Sequence, residues 1–296
     1  MREPRISPHH DLERHSGSEL LKAVVRGIIP RAARNWLRSP SKSVEWLWDS
    51  ARFSFGITKS LEISPNSFLA CHPRAYKVFR RDQVADPEQS AEFRSFLSYC
   101  SNIMLLYDIG AHFGIFSLAA AHFGGRAIAV DASPAAAQMM GIQAKLNKCG
   151  DKFQIICAAV SDANSSIDML NSGVFSDGYF KATKQKPKSE LTQVQATTID
   201  QMTLQFGAPT HIKIDVEGHE AAVLRGARST LSQFSPTLFL ELHNEMVISA
   251  GDSPHAALNE LAELRYDTFS TDGDAIGTNT ILKKSIIRIM AKRRLE

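Results

Sequence analysis

The sequence predicts an α/β fold, a mostly parallel β-sheet covered by helices on both faces and finished by an antiparallel strand. Three observations predict it. From Met104 onward, short apolar runs alternate with helix-patterned segments. The runs are almost continuously apolar, as strands buried on both faces must be. The last two runs, YDTFS and NTILKK, have only the short polar stretch TDGDAIG between them, so they should pair antiparallel.

The elements follow in order. Residues 1–17 are polar and read as a disordered tail. Residues 18–74 read as a helical N-terminal extension. It is basic and amphipathic from Ser18 to Arg38, broken at Pro30, then rich in aromatics. AYKVFRRDQ suits a short strand. PEQSAEFRSFLSYCSN suits a helix with Phe93, Phe96 and Leu97 on one face. The strands of the main domain, residues 75–285, are then MLLYDIG, RAIAVDAS, FQIICAAVSD, SIDML, TQVQATT, HIKIDV, TLFLEL and the final two. Residues 171–190 have no period and read as a functional or disordered loop. In it Tyr179 and Phe180 can stack on a sugar ring, with Lys181 and Lys184 facing an acidic group. Residues 286–296 read as a basic C-terminal tail.

Composition narrows the function. A net charge of +3 and a pI near 8.6 are too mild to argue for nucleic-acid binding. Four scattered cysteines, with no Cys-x-x-Cys pair among them, suit a reducing compartment, and the cytoplasm is the expected location. No run reaches the ~18 apolar residues of a membrane span.

The chemistry begins at DIGAHFG. In open α/β sheets ligands bind beyond the carboxyl ends of the strands. Asp108 ends a strand there, and Gly110 and Gly114 flank the turn into the next helix. The spacing is not Gly-x-Gly-x-x-Gly, which receives a pyrophosphate on a helix N-terminus. A carboxylate at that point repels a pyrophosphate and attracts an ammonium or sulfonium. Asp131 ends the next strand, where a carboxylate can accept both ribose hydroxyls. Either Asp alone reads equally well as a loop or cap residue. Together they fit S-adenosylmethionine.

With HIKIDVEGHEAAVLRGA added, the chain resembles the FkbM family of S-adenosylmethionine-dependent methyltransferases. DIGAHFGIFSLAA, VDASP, TTIDQM and LFLELH fall in the family's order, and the resemblance runs from about Ala75 to Lys284. It implies a class I methyltransferase, a Rossmann-like sandwich with a seven-stranded sheet, and O-methylation of a sugar, glycan or natural-product hydroxyl. Carried over residue by residue, Asp108, Gly110, Ala111, His112 and Gly114 form the cofactor loop. Asp131, where the family usually has Glu, forms the ribose turn with Ala132, Ser133 and Pro134. Asp162 falls near the adenine edge.

The acceptor side should lie at the ends of HIKIDV and LFLELH. His243 is the expected general base, with Asp215 orienting it or the acceptor, and Glu217 and His219 beside them. The plainer alternatives are a strand-end His243 bonded to backbone and a Glu217 that caps the next helix. Glu220 is expected to serve the helix dipole. No metal is expected, because a His243–Asn244 pair is a poor partner for magnesium. The basic termini suit packing on the domain, a twin subunit or an anionic membrane surface. The rival functions are a non-catalytic cofactor- or partner-binding domain and a nucleotide-dependent oxidoreductase.

Overall fold

A computed structural model of the protein describes residues 42–171, 180–182, 191–249, 251–271, 273–276 and 284–294. The expectations for residues 1–41, and for the loop residues Tyr179 and Lys184, lie outside them. The chain divides into two compact units, residues 1–48 and 49–296. Of the first, only the start of helix α1, Lys42–Ser54, is described.

The second unit opens differently from the helical extension expected. Lys59–Ser64 (β1) and Ser67–Cys71 (β2) form an antiparallel hairpin. Alternation explains it: Leu61, Ile63, Leu69 and Cys71 turn inward while their neighbours face water. The expected strand AYKVFRRDQ is instead helix α2, Pro73–Arg80, continued by a π-helical turn, Arg81–Ala85. Pro73 stands at its first turn, and the His72 ring accepts a hydrogen bond from the Arg74 amide. Helix α3, Pro87–Tyr99, appears where expected. Asp86 caps it by accepting from the Glu88 and Gln89 amides.

From there the strands and helices follow the predicted order, except that FQIICAAVSD divides into two strands and a short strand, Phe180–Ala182, lies in the stretch read as an irregular loop. They are β3 (Leu105–Ile109), α4 (Ile115–His122), β4 (Arg126–Asp131), α5 (Pro134–Leu146), β5 (Phe153–Cys157), β6 (Ala159–Val160), β7 (Ser166–Asn171), β8 (Phe180–Ala182) and β9 (Leu191–Thr197). Then come α6 (Ile199–Phe206), β10 (His211–Ile214), α7 (Glu220–Arg225), α8 (Arg228–Phe234) and β11 (Thr237–His243). Last are α9 (Asn244–Ser249), α10 (Ala256–Glu263), β12 (Tyr266–Ser270) and β13 (Ile286–Arg293).

The main sheet has seven strands in the order β12-β13-β11-β10-β3-β4-β5. The pairs from β11 through β5 are parallel, and β13 runs antiparallel to both its neighbours. A smaller sheet, β6-β9-β7-β8, stands beside it. The expected last strand NTILKK lies, except for Lys284, outside the described residues. The antiparallel strand among the described residues is IIRIMAKR, from the stretch read as a tail, and it lies between β12 and β11. Its alternation puts Ile287, Ile289 and Ala291 in the core. Three basic residues disguised it. Two of them, Arg288 and Lys292, lie on its other side, where Arg288 pairs with Glu241 and Lys292 covers the Tyr99 ring.

The two faces of the sheet carry separate cores. One face holds Tyr107, Ile109, Ile212, Ile214, Leu240 and Leu242 against the helices from α6 to α10. The other holds Leu106, Ala129 and Phe239 against α2, α3 and α4. The period of two then dictates what else shares the second face: Asp108, Lys213, Glu241 and His243, all buried. No described helix is long and apolar enough to cross a membrane.

Candidate active site

The chain leaves β3 toward β4 and β5 on one side and later returns to place β10 and β11 on the other. The switch point between β3 and β10 is where such sheets open a crevice. Two clefts meet there, and Gly110, His112, Asp215 and Glu217 line both.

Gly110 is fixed by space and by backbone. Its φ is +78°, and a Cβ there would lie 1.8 Å from the Asp215 carbonyl oxygen. Gly114, at φ +82°, forms the turn into α4 and has no side chain to cap it. Asp108 does that work from β3. One of its carboxylate oxygens accepts from the Ser117 amide at 3.1 Å and the Ser117 hydroxyl at 2.6 Å. Burial raises the Asp108 pKa to about 6, against the pull of Ser117 and Lys213. The side chain expected to meet a cationic ligand is thus committed to the helix behind the loop. It lines only the second cleft.

Asp131 faces the first cleft. Its Oδ2 accepts from the His112 amide and its Oδ1 from the Ser133 amide, both at 2.8 Å. Burial raises its pKa to about 7, although both amides favour the carboxylate. Each oxygen keeps a lone pair for a ligand hydroxyl. Ala132, Val160, Ile167 and Met169 complete this apolar wall. The Ser133 hydroxyl is occupied in capping α5. Ala111 lines the second cleft and donates its amide to Val130.

Two non-glycine residues hold left-handed backbone at the junction: His112 at φ +50° and Glu217 at φ +55°. Such strain persists only where surroundings enforce it, and it concentrates at ligand sites. The His112 ring stacks on Phe113 with centroids 4.0 Å apart.

The second cleft is acidic and deep. Lys213 is fully buried there, with Nζ 3.0 Å from Glu92, 3.8 Å from Asp215 Oδ2 and 3.9 Å from Glu241 Oε2. The ammonium also lies over the Phe116 ring. Arg288 reaches Glu241 at 2.7 Å and Glu92 at 3.4 Å. His243 donates from Nδ1 to Glu220 Oε1 at 2.8 Å. Its Nε2 lies 3.7 Å from Asp215 Oδ1, 3.7 Å from Glu241 Oε1 and 3.9 Å from Glu217. Burial lowers the His243 pKa, but the Glu220 hydrogen bond and the charges of Asp215, Glu220 and Glu217 outweigh it and raise it to about 9. At neutral pH the ring therefore holds a proton, which runs against the expected role as a ready base. Glu220 is buried and also accepts from the Gly218 amide, so it orients His243 rather than serving a helix end alone.

His219 lines the first cleft, with Nε2 2.9 Å from the Ser161 hydroxyl. Burial lowers its pKa, so the ring is neutral. Asp162 is exposed, pairs with Arg225 at 3.2 Å and lines neither cleft. Sequence reasoning passed over Lys213, Glu92, Glu241 and Arg288. The signal was present for two of them: a single charge inside HIKI and inside LFLEL, each on the inward phase of an apolar strand.

Sheet order, switch-point crevice and paired clefts define a class I methyltransferase fold. The sequence matches the family model described as the methyltransferase FkbM domain over residues 108–268, more than half of the chain, and the chain belongs to that family. No curated protein matches it. Among solved structures it is similar to a methyltransferase FkbM from Methylobacillus flagellatus KT, at 15% identity and a TM-score of 0.42 over 74% of this chain. The chain spans 59% of that protein's length. It is also similar to an O-methyltransferase from Bacillus cereus in complex with SAH, at 12% identity, TM-score 0.40, and 74% and 90% of the two chains. A third is the SAH-bound methyltransferase PaMTH1 from Podospora anserina, at 9% identity, TM-score 0.43, and 91% and 99%.

The cofactor that goes with the family is S-adenosylmethionine, and the residues present fit it. Gly110 lets the loop after β3 close on the Asp215 backbone, so that both strand ends line one crevice. Asp131 offers an anchored carboxylate beside an apolar wall, the pairing a nucleoside's ribose and base call for.

Proposed function

We propose that this chain transfers a methyl group from S-adenosylmethionine to a hydroxyl of a sugar, glycan or natural product. The observation that carries the reading is the meeting of the two clefts at Gly110, His112, Asp215 and Glu217. One cleft suits a nucleoside. The other, lined by carboxylates, suits a polar small-molecule acceptor rather than a nucleic acid.

The cofactor brings a methyl group already activated on a cationic sulfur. The chain's residues therefore have to align the acceptor and receive its proton. Asp131 accepts ribose hydroxyls through the lone pairs its two amides leave free. Asp215 and Glu217, on the shared wall, orient the acceptor hydroxyl and take its proton. His243 and Glu220 stand behind them and fix their positions. His219, neutral, shapes the mouth of the first cleft. The four free cysteines support a reducing, cytoplasmic setting.

The first test is calorimetry of S-adenosylmethionine binding to the wild type and to Asp131→Ala and Gly110→Ala, followed by methyl transfer to a panel of hydroxyl acceptors. Micromolar binding lost in both variants, with an ether product, is the expected result. No binding by a folded wild type would overturn the reading. Binding without turnover on any acceptor would favour a non-catalytic module.

A further inference from the structure

The sequence alone argued against a metal, because it offered His243 with Asn244. The strand register changes the donor set. On β11, residues two apart share a face, so the partner of His243 is Glu241, and Asp215 at the end of β10 lies beside both.

We propose that Asp215, Glu241 and His243 bind one divalent cation of the manganese-to-zinc kind, at the junction of the two clefts.

Three features carry this. One donor atom from each residue falls within 4.8 Å of the others. The closest approaches are 3.7 Å, from His243 Nε2 to Asp215 Oδ1 and to Glu241 Oε1. Ligands 2.0–2.2 Å from one ion stand about 3 to 3.6 Å apart, so His243 Nε2 is already close to ligand spacing from each carboxylate, and the two carboxylates, within 4.8 Å of each other, draw together around the ion.

The second feature is how His243 is held. The residue is 4% exposed. Its Nδ1 is tied to buried Glu220, which leaves Nε2 aimed among carboxylate oxygens at distances too long for hydrogen bonds. A carboxylate behind the far ring nitrogen is the usual support of a metal-bound imidazole.

The third is the division of oxygens. Lys213 lies toward Asp215 Oδ2 and Glu241 Oε2, whereas the atoms facing Nε2 are Oδ1 and Oε1. Arg288 also reaches Glu241 Oε1, which has a second lone pair. Lys213 thus braces the two carboxylates from behind, while Arg288 grips both Glu241 oxygens. Around them stand five carboxylates, Glu92, Asp215, Glu217, Glu220 and Glu241. That excess of negative charge is what a divalent ion offsets. One imidazole among carboxylates suits manganese, iron or zinc better than magnesium. On the methyl-transfer reading, the ion would polarise the acceptor hydroxyl beside Glu217.

The test is titration of the full chain with Mn²⁺ alone, without S-adenosylmethionine, following free Mn²⁺ by electron paramagnetic resonance. The expected result is one ion per chain, with affinity at least tenfold weaker in Asp215→Asn and in His243→Gln. The exposed Asp168→Asn serves as a control that should bind as the wild type does. Circular dichroism melts confirm that the variants are folded. Glu220→Gln, which leaves all three ligands in place, should weaken binding less than either ligand variant. No stoichiometric uptake by the wild type, or uptake that both ligand variants retain, overturns the proposal. Calorimetry of S-adenosylmethionine in a chelator separates the two ideas. Cofactor binding without Mn²⁺ uptake sinks only the metal site, and the reverse sinks only the methyltransferase reading.

Discussion

Asp131 meets two opposing demands. Burial raises its pKa from 3.8 to about 7, while a nucleoside with a cationic sulfur favours its ionised form. Because the folded pKa is raised, the stabilisation it brings is fully present below about 3.8 and is lost as pH rises through about 7. Cofactor binding at pH 7 should therefore expel part of a proton from this group. Calorimetry in two buffers of different ionisation enthalpy reads that release directly, and Asp131→Asn should abolish it. A binding enthalpy independent of buffer would contradict the assignment. Lys213 presents the other extreme. Replacing it with Met leaves Glu92, Asp215 and Glu241 facing one another without their shared ammonium. A loss of about 3–5 kcal/mol on denaturant unfolding is expected. A cost below 1 kcal/mol would mean the carboxylates find compensation elsewhere.

At the scale of elements, β13 decides most. It is hydrogen-bonded to both β11 and β12, joins the edge strand to the sheet, and carries Arg288 to Glu241. A chain ending at residue 285 should lose cooperative unfolding altogether, as near-ultraviolet circular dichroism and a urea titration would show. Were the stretch only a tail, the truncated chain would unfold with an unchanged midpoint. This strand also shows where sequence reading falls short. The runs LLYDI, RAIAVD, HIKI and TLFLELH were legible because burial on both faces leaves little but apolar residues. β13 has one covered phase and one charged phase, so its arginines and lysines read as a solvated tail. The hairpin β1–β2 was hidden in the same way, by half-exposed strands too short to outweigh neighbouring helical patterns. In the site, the strand-tip carboxylates Asp108 and Asp131 were legible. That Asp108 would turn back to Ser117 was not, because the donor lies nine residues on, inside a helix whose start at Gly114 offers no capping side chain of its own. Glu241 escaped notice because its relation to His243 exists only once register and face are known.

Across the whole molecule, the sheet separates two kinds of interior. One face is apolar from end to end, and the other becomes polar toward the carboxyl ends of β3, β10 and β11. The polar end carries a cost in the empty protein, since buried Asp108 and half-buried Asp131 both have raised pKa values. Ligand binding should therefore recover stability for the whole unit. At a hundredfold excess over Kd, S-adenosylmethionine should stabilise the fold by about 2.7 kcal/mol, a rise of roughly 5–10 °C in Tm for a unit of this size. Differential scanning fluorimetry measures it, and an unmoved Tm at saturating cofactor would show that the crevice does not close on that ligand.

The place of β13 between β12 and β11 has a further consequence for the order of assembly. A chain leaving the ribosome can lay down β3, β4, β5, β10 and β11 as neighbours in turn. The edge strand β12 has no partner until Ile286–Arg293 emerges and slides in between. Until then Glu241 lacks its guanidinium, and the acidic wall of the crevice is only half built. Nascent chains should thus pass through a stage in which most of the sheet is set while the ligand site is open and unbalanced, and the emergence of β13 turns a folded scaffold into a competent one.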